Sequence, residues 1–328
     1  MSGVTVPTPP WLVTHTQALR RAWDAQRLPH ALLIHEAPGS GGEWLASWLA
    51  QLVLCAERAQ APCGQCAACR RVASRTHPDL TWLALEDESR QIRIEQVRGL
   101  AQELALTSHG GGYKVGVISP ADTMNRFAAN ALLKTLEEPP SGTLLVLVAT
   151  QPSRLPATVL SRCQRIRVRE PARSESVAWL QAARGKGDWD AALDTVGEAP
   201  FLALDADLAE ILAIAPDSRA TLDSVATGSA DPVASAERWG RAQLPLRLLC
   251  FEKWLTERIL HAQAPGAFLT DLRPGPHLSE AAPFLNIREL FGLMDEVRDL
   301  RAAPDVPLNR GLALEVLFRR LAAAGRVA

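Results

Sequence analysis

The sequence predicts an α/β domain on a mostly parallel sheet, followed by an all-helical C-terminal region. Three observations predict it. Up to about residue 169, short apolar β-like runs alternate with segments of helical periodicity, as parallel strands joined by crossover helices require. After Pro171 the strand signals stop and only helical patterns continue. Apolar residues make up 47% of the 328 positions and charged residues 22%, which supplies packed cores and excludes a disordered chain.

The elements follow in order. Residues 31–35 read as a buried strand, then a Gly-rich turn at 38–42 and an apolar helix from 43 to 54. A second strand is expected at 79–85. In 94–106, Ile94, Val97, Ala101 and Leu104 recur at helical spacing, while Arg93, Arg98 and Glu103 are free to face water. A third strand covers 114–118, ended by Pro120, and a single helix covers 125–138, stopped by Pro139-Pro140. Residues 143–150 form a fully apolar fourth strand, 155–161 a short helix, and 164–169 a fifth strand. There Arg165, Arg167 and Arg169 alternate with Ile166 and Val168, which suits a sheet edge whose charges discourage pairing with another chain. Beyond it, helices are expected at 174–183, 189–196, 246–261, 287–302 and 312–324, with a boundary at Ala215-Pro216-Asp217-Ser218.

Composition narrows the function. With 35 basic and 36 acidic residues the formal charge is −1, so no global field draws the chain onto nucleic acid, and any DNA contact is local or shared with partners. The N-terminal Met1 to Pro10 has no basic flank before an apolar core, and no apolar run approaches the roughly 20 residues of a membrane span; a soluble, cytoplasmic protein without membrane partners is expected.

The turn after the first strand stands where a phosphate loop, GxxxxGK[ST], would stand. In that loop glycines let backbone N–H groups face phosphates, the Lys reaches the β/γ-phosphates and the hydroxyl holds Mg²⁺. Placing Gly41 on the second motif glycine puts Glu36 on the first, Gly42 on the Lys and Glu43 on the Ser/Thr; Gly39 lies between. Two carboxylates would then face a triphosphate with no cation to offset them. The acid that holds Mg²⁺ at the end of a later strand is also missing, since Ser119 and Pro120 follow Val115-Gly116-Val117-Ile118 and Asp122 comes three residues late. An NTPase fold that does not hydrolyse fits both losses, and an ordinary Gly-rich βα turn fits the loop alone.

The string Asn130-Ala131-Leu132-Leu133-Lys134-Thr135-Leu136-Glu137-Glu138-Pro139-Pro140, followed by Ser161-Arg162-Cys163, resembles the clamp-loader AAA+ ATPase family. The resemblance is strong from about Trp11 to Arg169; beyond it only Leu308-Asn309-Arg310 is reminiscent of the family. It implies a RecA-like AAA+ domain over 1–168 with an inserted zinc module near 55–72, a small helical lid over 169–214 and a helical collar over 215–328 that packs into a circular pentamer. Without the loop Lys and the magnesium acid, the chain is most similar to the family's non-hydrolysing members. These are fixed subunits of a DNA-directed DNA polymerase holoenzyme, against which ATP-driven subunits move while a sliding clamp is opened. The implied partners are the loader's ATPase subunits and delta subunit, and the sliding clamp and primer-template DNA in the assembled complex. ATP is not expected to bind.

Arg162, between Ser161 and Cys163, is the candidate catalytic residue. In the family the arginine of this motif reaches across an interface to a neighbour's ATP, and such fingers are worth about 10³ to 10⁵ in rate in GTPases. Its place between a helix and a strand is a surface junction. Without the resemblance, an Arg neutralising a helix C-terminus is the favoured explanation.

Cys55, Cys63, Cys66 and Cys69 cluster in a polar segment, with Gly64 supplying a tight turn. Four thiolates complete a tetrahedral Zn²⁺ site with no open position, so the expected zinc is structural. An iron–sulfur cluster is the competing metal, but the ferredoxin run would need a Cys where Ala73 stands. Cys163 and Cys250 are isolated in apolar surroundings and read as core. An ATP-hydrolysing loader subunit fails on Gly42. A zinc-dependent nucleic-acid enzyme would need a metal-bound water that a four-Cys shell excludes. A generic zinc-containing α/β interaction module stays open.

Overall fold

The structure is a computed structural model and describes residues 6–86, 89, 91–110, 112–263, 287–302 and 310–324. Five strands, β1 (Ala31–Glu36), β2 (Leu80–Leu83), β3 (Lys114–Ile118), β4 (Thr143–Ala149) and β5 (Gln164–Val168), form one sheet in the order β2-β3-β4-β1-β5, with every neighbouring pair parallel. The α/β architecture and the helical region after it match the sequence pattern, and β5 is the expected cationic edge. β1 and β4 lie inside the sheet and carry apolar residues to both faces, as strands covered on both sides must. Ala31, Leu33, Leu145 and Leu147 share one core with residues of the helices Ile94–Ala105, Arg126–Ala131 and Leu133–Glu137. The helix Gly42–Leu54 packs on β1 and β4 and buries Leu45, Leu49 and Leu52.

Several elements differ from expectation. The helix expected over 125–138 is two. Asn125 caps the first by accepting the Ala128 N–H at 2.9 Å, and at Leu132 the N–H turns to the Ala129 carbonyl at 3.3 Å, an i→i−3 bond that ends the regular ladder. The second strand, expected over 79–85, covers Leu80–Leu83; the Asp79 carbonyl still accepts the Val115 N–H at 2.8 Å, while its side chain accepts the His109 and Gly110 N–H groups at 2.8 and 3.1 Å. The boundary expected at 215–218 lies inside the helix Leu208–Ala226. Pro216 removes one N–H from that helix, but Ile211, Ile214, Ser218, Thr221 and Leu222 around it are buried, and packing overrides the breaker. The helices Pro200–Asp205 and Pro232–Arg241 were not expected.

The chain forms two compact units, Met1–Gly187 with Glu198–Asp205, and Asp188–Gly197 with Ala206–Ala328. The stretch 169–214 expected as a lid is thus shared between them. In the second unit, the fully buried Trp239, Phe251 and Phe318 form the centre, with Trp239 and Phe318 ring centroids 4.9 Å apart in an edge-to-face contact. Leu308 and Asn309 of the weak C-terminal motif lie outside the described residues, and Arg310 opens the helix Arg310–Ala324.

Candidate functional site

The turn after β1 sits at the carboxyl edge of the sheet, where open α/β folds form their ligand crevices. Gly39 and Gly41 hold φ at +69° and +99°, a left-handed conformation that a side chain would strain, and the helix Gly42–Leu54 starts directly behind. The backbone thus makes a tight glycine turn directly before the helix, and the space beside that turn is occupied by the chain itself.

Glu36 carries the occupation. Its Oε2 accepts the Gly42 N–H at 2.6 Å, so a donor that would meet a phosphate meets a carboxyl. Only 8% exposed, Glu36 has its pKa raised to about 7, by burial above all and by the Glu43 and Asp122 charges, against the lowering effect of the Gly42 N–H. A Cβ at position 42 would come within 2.6 Å of the Glu36 carboxyl carbon and 2.9 Å of Val148 Cγ1, so no side chain fits there while Glu36 keeps its place.

The outside of the loop is covered as well. A Cβ on Gly39 would meet the Ala199 Cβ at 2.6 Å, and one on Gly41 would run into the Phe201 ring. The Phe201 N–H donates to the Gly39 carbonyl at 3.1 Å, and Trp11 Nε1 donates to the Ser40 carbonyl at 2.8 Å. Trp179 joins them, its ring centroid 5.3 Å from that of Trp11 and 4.8 Å from that of Phe201.

Glu43 differs from expectation, because a cation does offset it. Its Oε2 accepts from Arg75 Nη2 at 2.8 Å and its Oε1 from Ser119 Oγ at 2.8 Å, and the Arg75 guanidinium stacks 4.0 Å from the Trp82 ring centroid. Ser119, at the end of β3 where a magnesium-holding acid is expected, thus ties the loop helix to the sheet. The Asp122 side chain is tied to the turn after β4: its Oδ2 accepts Thr150 Oγ1 at 3.1 Å and the Gln151 N–H at 2.7 Å.

The four clustered cysteines converge. All four sulfurs lie within 4.8 Å of one another, with Cys55–Cys63 at 3.6 Å and Cys55–Cys66 and Cys63–Cys69 both at 3.9 Å. Cys55 ends the helix Gly42–Leu54, and Cys66 caps the helix Ala67–Ala73, so secondary structure sets two of the four directions. The N–H groups of Cys66 and Cys69 point at the Cys63 and Cys66 sulfurs at 3.3 and 3.4 Å, as they do toward thiolates. A zinc–sulfur bond of about 2.3 Å places tetrahedral sulfurs about 3.8 Å apart, so the donor set fits that ion. Cys163 is buried in the sheet core, its thiol pushed up to about 11 by burial.

Arg162 follows the helix Ala157–Leu160 and precedes β5. Its Nη1 donates to the Thr158 carbonyl at 3.0 Å and to Ser161 Oγ at 3.2 Å, and its Nη2 lies 2.7 Å from Glu137 Oε1. The expected surface junction is there, with the guanidinium half-exposed. Sequence reasoning missed Arg75, Phe201, Trp179 and Glu137. Only Glu137 lies in a motif that could have signalled it; the others reach the site through distant parts of the chain.

A family model described as "DNA polymerase III, delta subunit" matches residues 13–172. The DNA polymerase III subunit delta' of Pseudomonas aeruginosa is 43% identical over 155 residues, 47% of each chain, and that of Escherichia coli 37% identical over 172 residues, 52% of each. The DNA polymerase III subunit tau of Bacillus subtilis is 31% identical over 151 residues, 46% of this chain and 26% of that protein. The chain thus aligns with about half the length of the delta' relatives it matches. The matched residues carry the sheet, the Gly-rich turn, the cysteine cluster and Arg162, and over them the chain is similar to the delta' subunits of bacterial DNA polymerase III.

Proposed function

We propose that this chain is the non-hydrolysing, fixed subunit of a clamp loader, which supplies Arg162 in trans to ATP held by a neighbouring subunit. One observation carries the reading: the phosphate loop is filled by Glu36 and covered by Phe201, whereas the Arg162 guanidinium is half-exposed at the surface. A chain so built cannot seat a triphosphate of its own without displacing a buried carboxyl, yet can offer a planar cation to another subunit's γ-phosphate. Similarity to both delta' and tau subunits supports membership of the loader, with its ATPase and delta subunits, the sliding clamp and primer-template DNA as partners. No helix among the described residues is long and apolar enough to cross a membrane, in keeping with a cytoplasmic replication role.

Cys55, Cys63, Cys66 and Cys69 would hold one Zn²⁺, whose contribution is structural because all four ligand positions are sulfur. The helices from Leu208 onward would provide the assembly region; Phe291 and Val316 are apolar and nearly half exposed there. The test of the central reading is ATP turnover by a reconstituted loader that contains Arg162→Ala. A loss at the neighbouring site with assembly intact supports it, and unchanged turnover overturns it.

A further inference from the structure

The Arg162 guanidinium is already paired on its own chain. Glu137 Oε1 lies 2.7 Å from Nη2, and the two side chains are 51% and 36% exposed. The partners come from different elements, since Glu137 ends the helix Leu133–Glu137 and Arg162 follows the helix Ala157–Leu160, which packs against it. Pro139-Pro140 stop the first helix just beyond Glu137, so tertiary packing and not helical spacing sets the pair.

An arginine binds phosphate best through two parallel N–H groups of its planar fork. Here Nη2 faces the Glu137 carboxylate and Nη1 faces the Thr158 carbonyl and Ser161 Oγ. A phosphate that takes the Nη1–Nη2 edge of the fork displaces that carboxylate, and two anions sharing one guanidinium repel each other. An exposed pair is worth about 0.2–1 kcal/mol, weak enough to yield to an ATP-bound neighbour and large enough to bias where the guanidinium rests.

We propose that Glu137 is a positioning residue that holds Arg162 back from the neighbour's phosphate, and so keeps ATP turnover low until the loader engages clamp and DNA. This rests on the assignment of Arg162 as a finger in trans. The experiment compares wild-type protein, Glu137→Gln, Arg162→Ala and the double variant in a reconstituted loader, with ATP turnover read with and without clamp and DNA. Glu137→Gln keeps the size of the side chain and removes its charge. Turnover without clamp and DNA should rise about 1.4- to fivefold, the factor that an exposed pair converts to. The stimulated rate should change by less, and the rise should vanish in the double variant, an outcome that a merely structural Glu137 would not give. If Arg162→Ala abolishes turnover at the neighbouring site but Glu137→Gln leaves the unstimulated rate unchanged or lower, the inference fails alone. If Arg162→Ala has no effect, the finger assignment fails and Glu137 falls with it.

Discussion

Glu36 Oε2 and the Gly42 N–H are 2.6 Å apart, and the contact makes the loop's first and seventh motif positions partners of each other. The carboxyl takes up the Gly42 N–H, and its position also denies Gly42 a side chain. Restoring the missing lysine is therefore a steric problem as well as a chemical one.

The isolated protein should neither hydrolyse Mg-ATP nor bind it tightly. Gly42→Lys should not rescue either activity, because its Cβ meets the Glu36 carboxyl carbon and Ser119 still stands where the metal-holding acid belongs. Calorimetric titration is the check, and micromolar affinity for Mg-ATP in the unmodified protein would refute the closed loop.

Glu36 should make stability fall as pH rises. Its pKa is raised to about 7 from an ordinary value of 4.5, so the folded protein binds more protons than the unfolded chain between these values. The contribution is fully present below about 4.5 and is lost as pH climbs through about 7, to a total of about 3 kcal/mol. Glu36→Gln keeps an oxygen for the Gly42 N–H without the charge. Urea unfolding from pH 5 to 8.5 should give a flatter profile for this variant, and equal slopes for both proteins would remove Glu36 as the cause.

Purified without chelators, the protein should carry about one Zn²⁺. Serine at any one of positions 55, 63, 66 or 69 should weaken retention of the ion and loosen the segment around the helix Ala67–Ala73, since metal affinity and local folding are one equilibrium. Elemental analysis that finds iron, or no metal, counts against the site, and visible thiolate–iron absorption separates those two results.

Arg162→Ala should leave the protein folded and assembled while neighbour-site turnover drops more than tenfold, a transition-state effect of at least about 1.4 kcal/mol. Arg162→Lys should fail too, because an ammonium lacks the planar fork. If Arg162 only neutralised a helix end, Lys would serve nearly as well and Ala would cost under about 1 kcal/mol of stability. Single-turnover hydrolysis, with assembly followed by gel filtration, distinguishes the two patterns.

The sequence by itself determined the parallel sheet, because the apolar runs at β1 and β4 are too uniform for anything but strands covered on both faces, and strands so separated must be joined by crossovers. It also determined that the Gly-rich turn carries no cation at position 42, since glycine supplies none in any conformation, and the cysteine quartet, whose short spacing keeps four thiols within reach of one ion. These are local properties. Tertiary structure alone decided what packs against that turn. Phe201 lies 160 positions after Gly41, and Arg75 reaches Glu43 from beyond the cysteine segment; no periodicity encodes such meetings. Glu36 was legible as a charge beside the Gly-rich turn, but its burial, which raises the carboxyl's pKa to about 7, depends on the walls packed around it. The same holds for Arg162 and Glu137: both stand in motifs, and only the packing of two short helices makes them a pair.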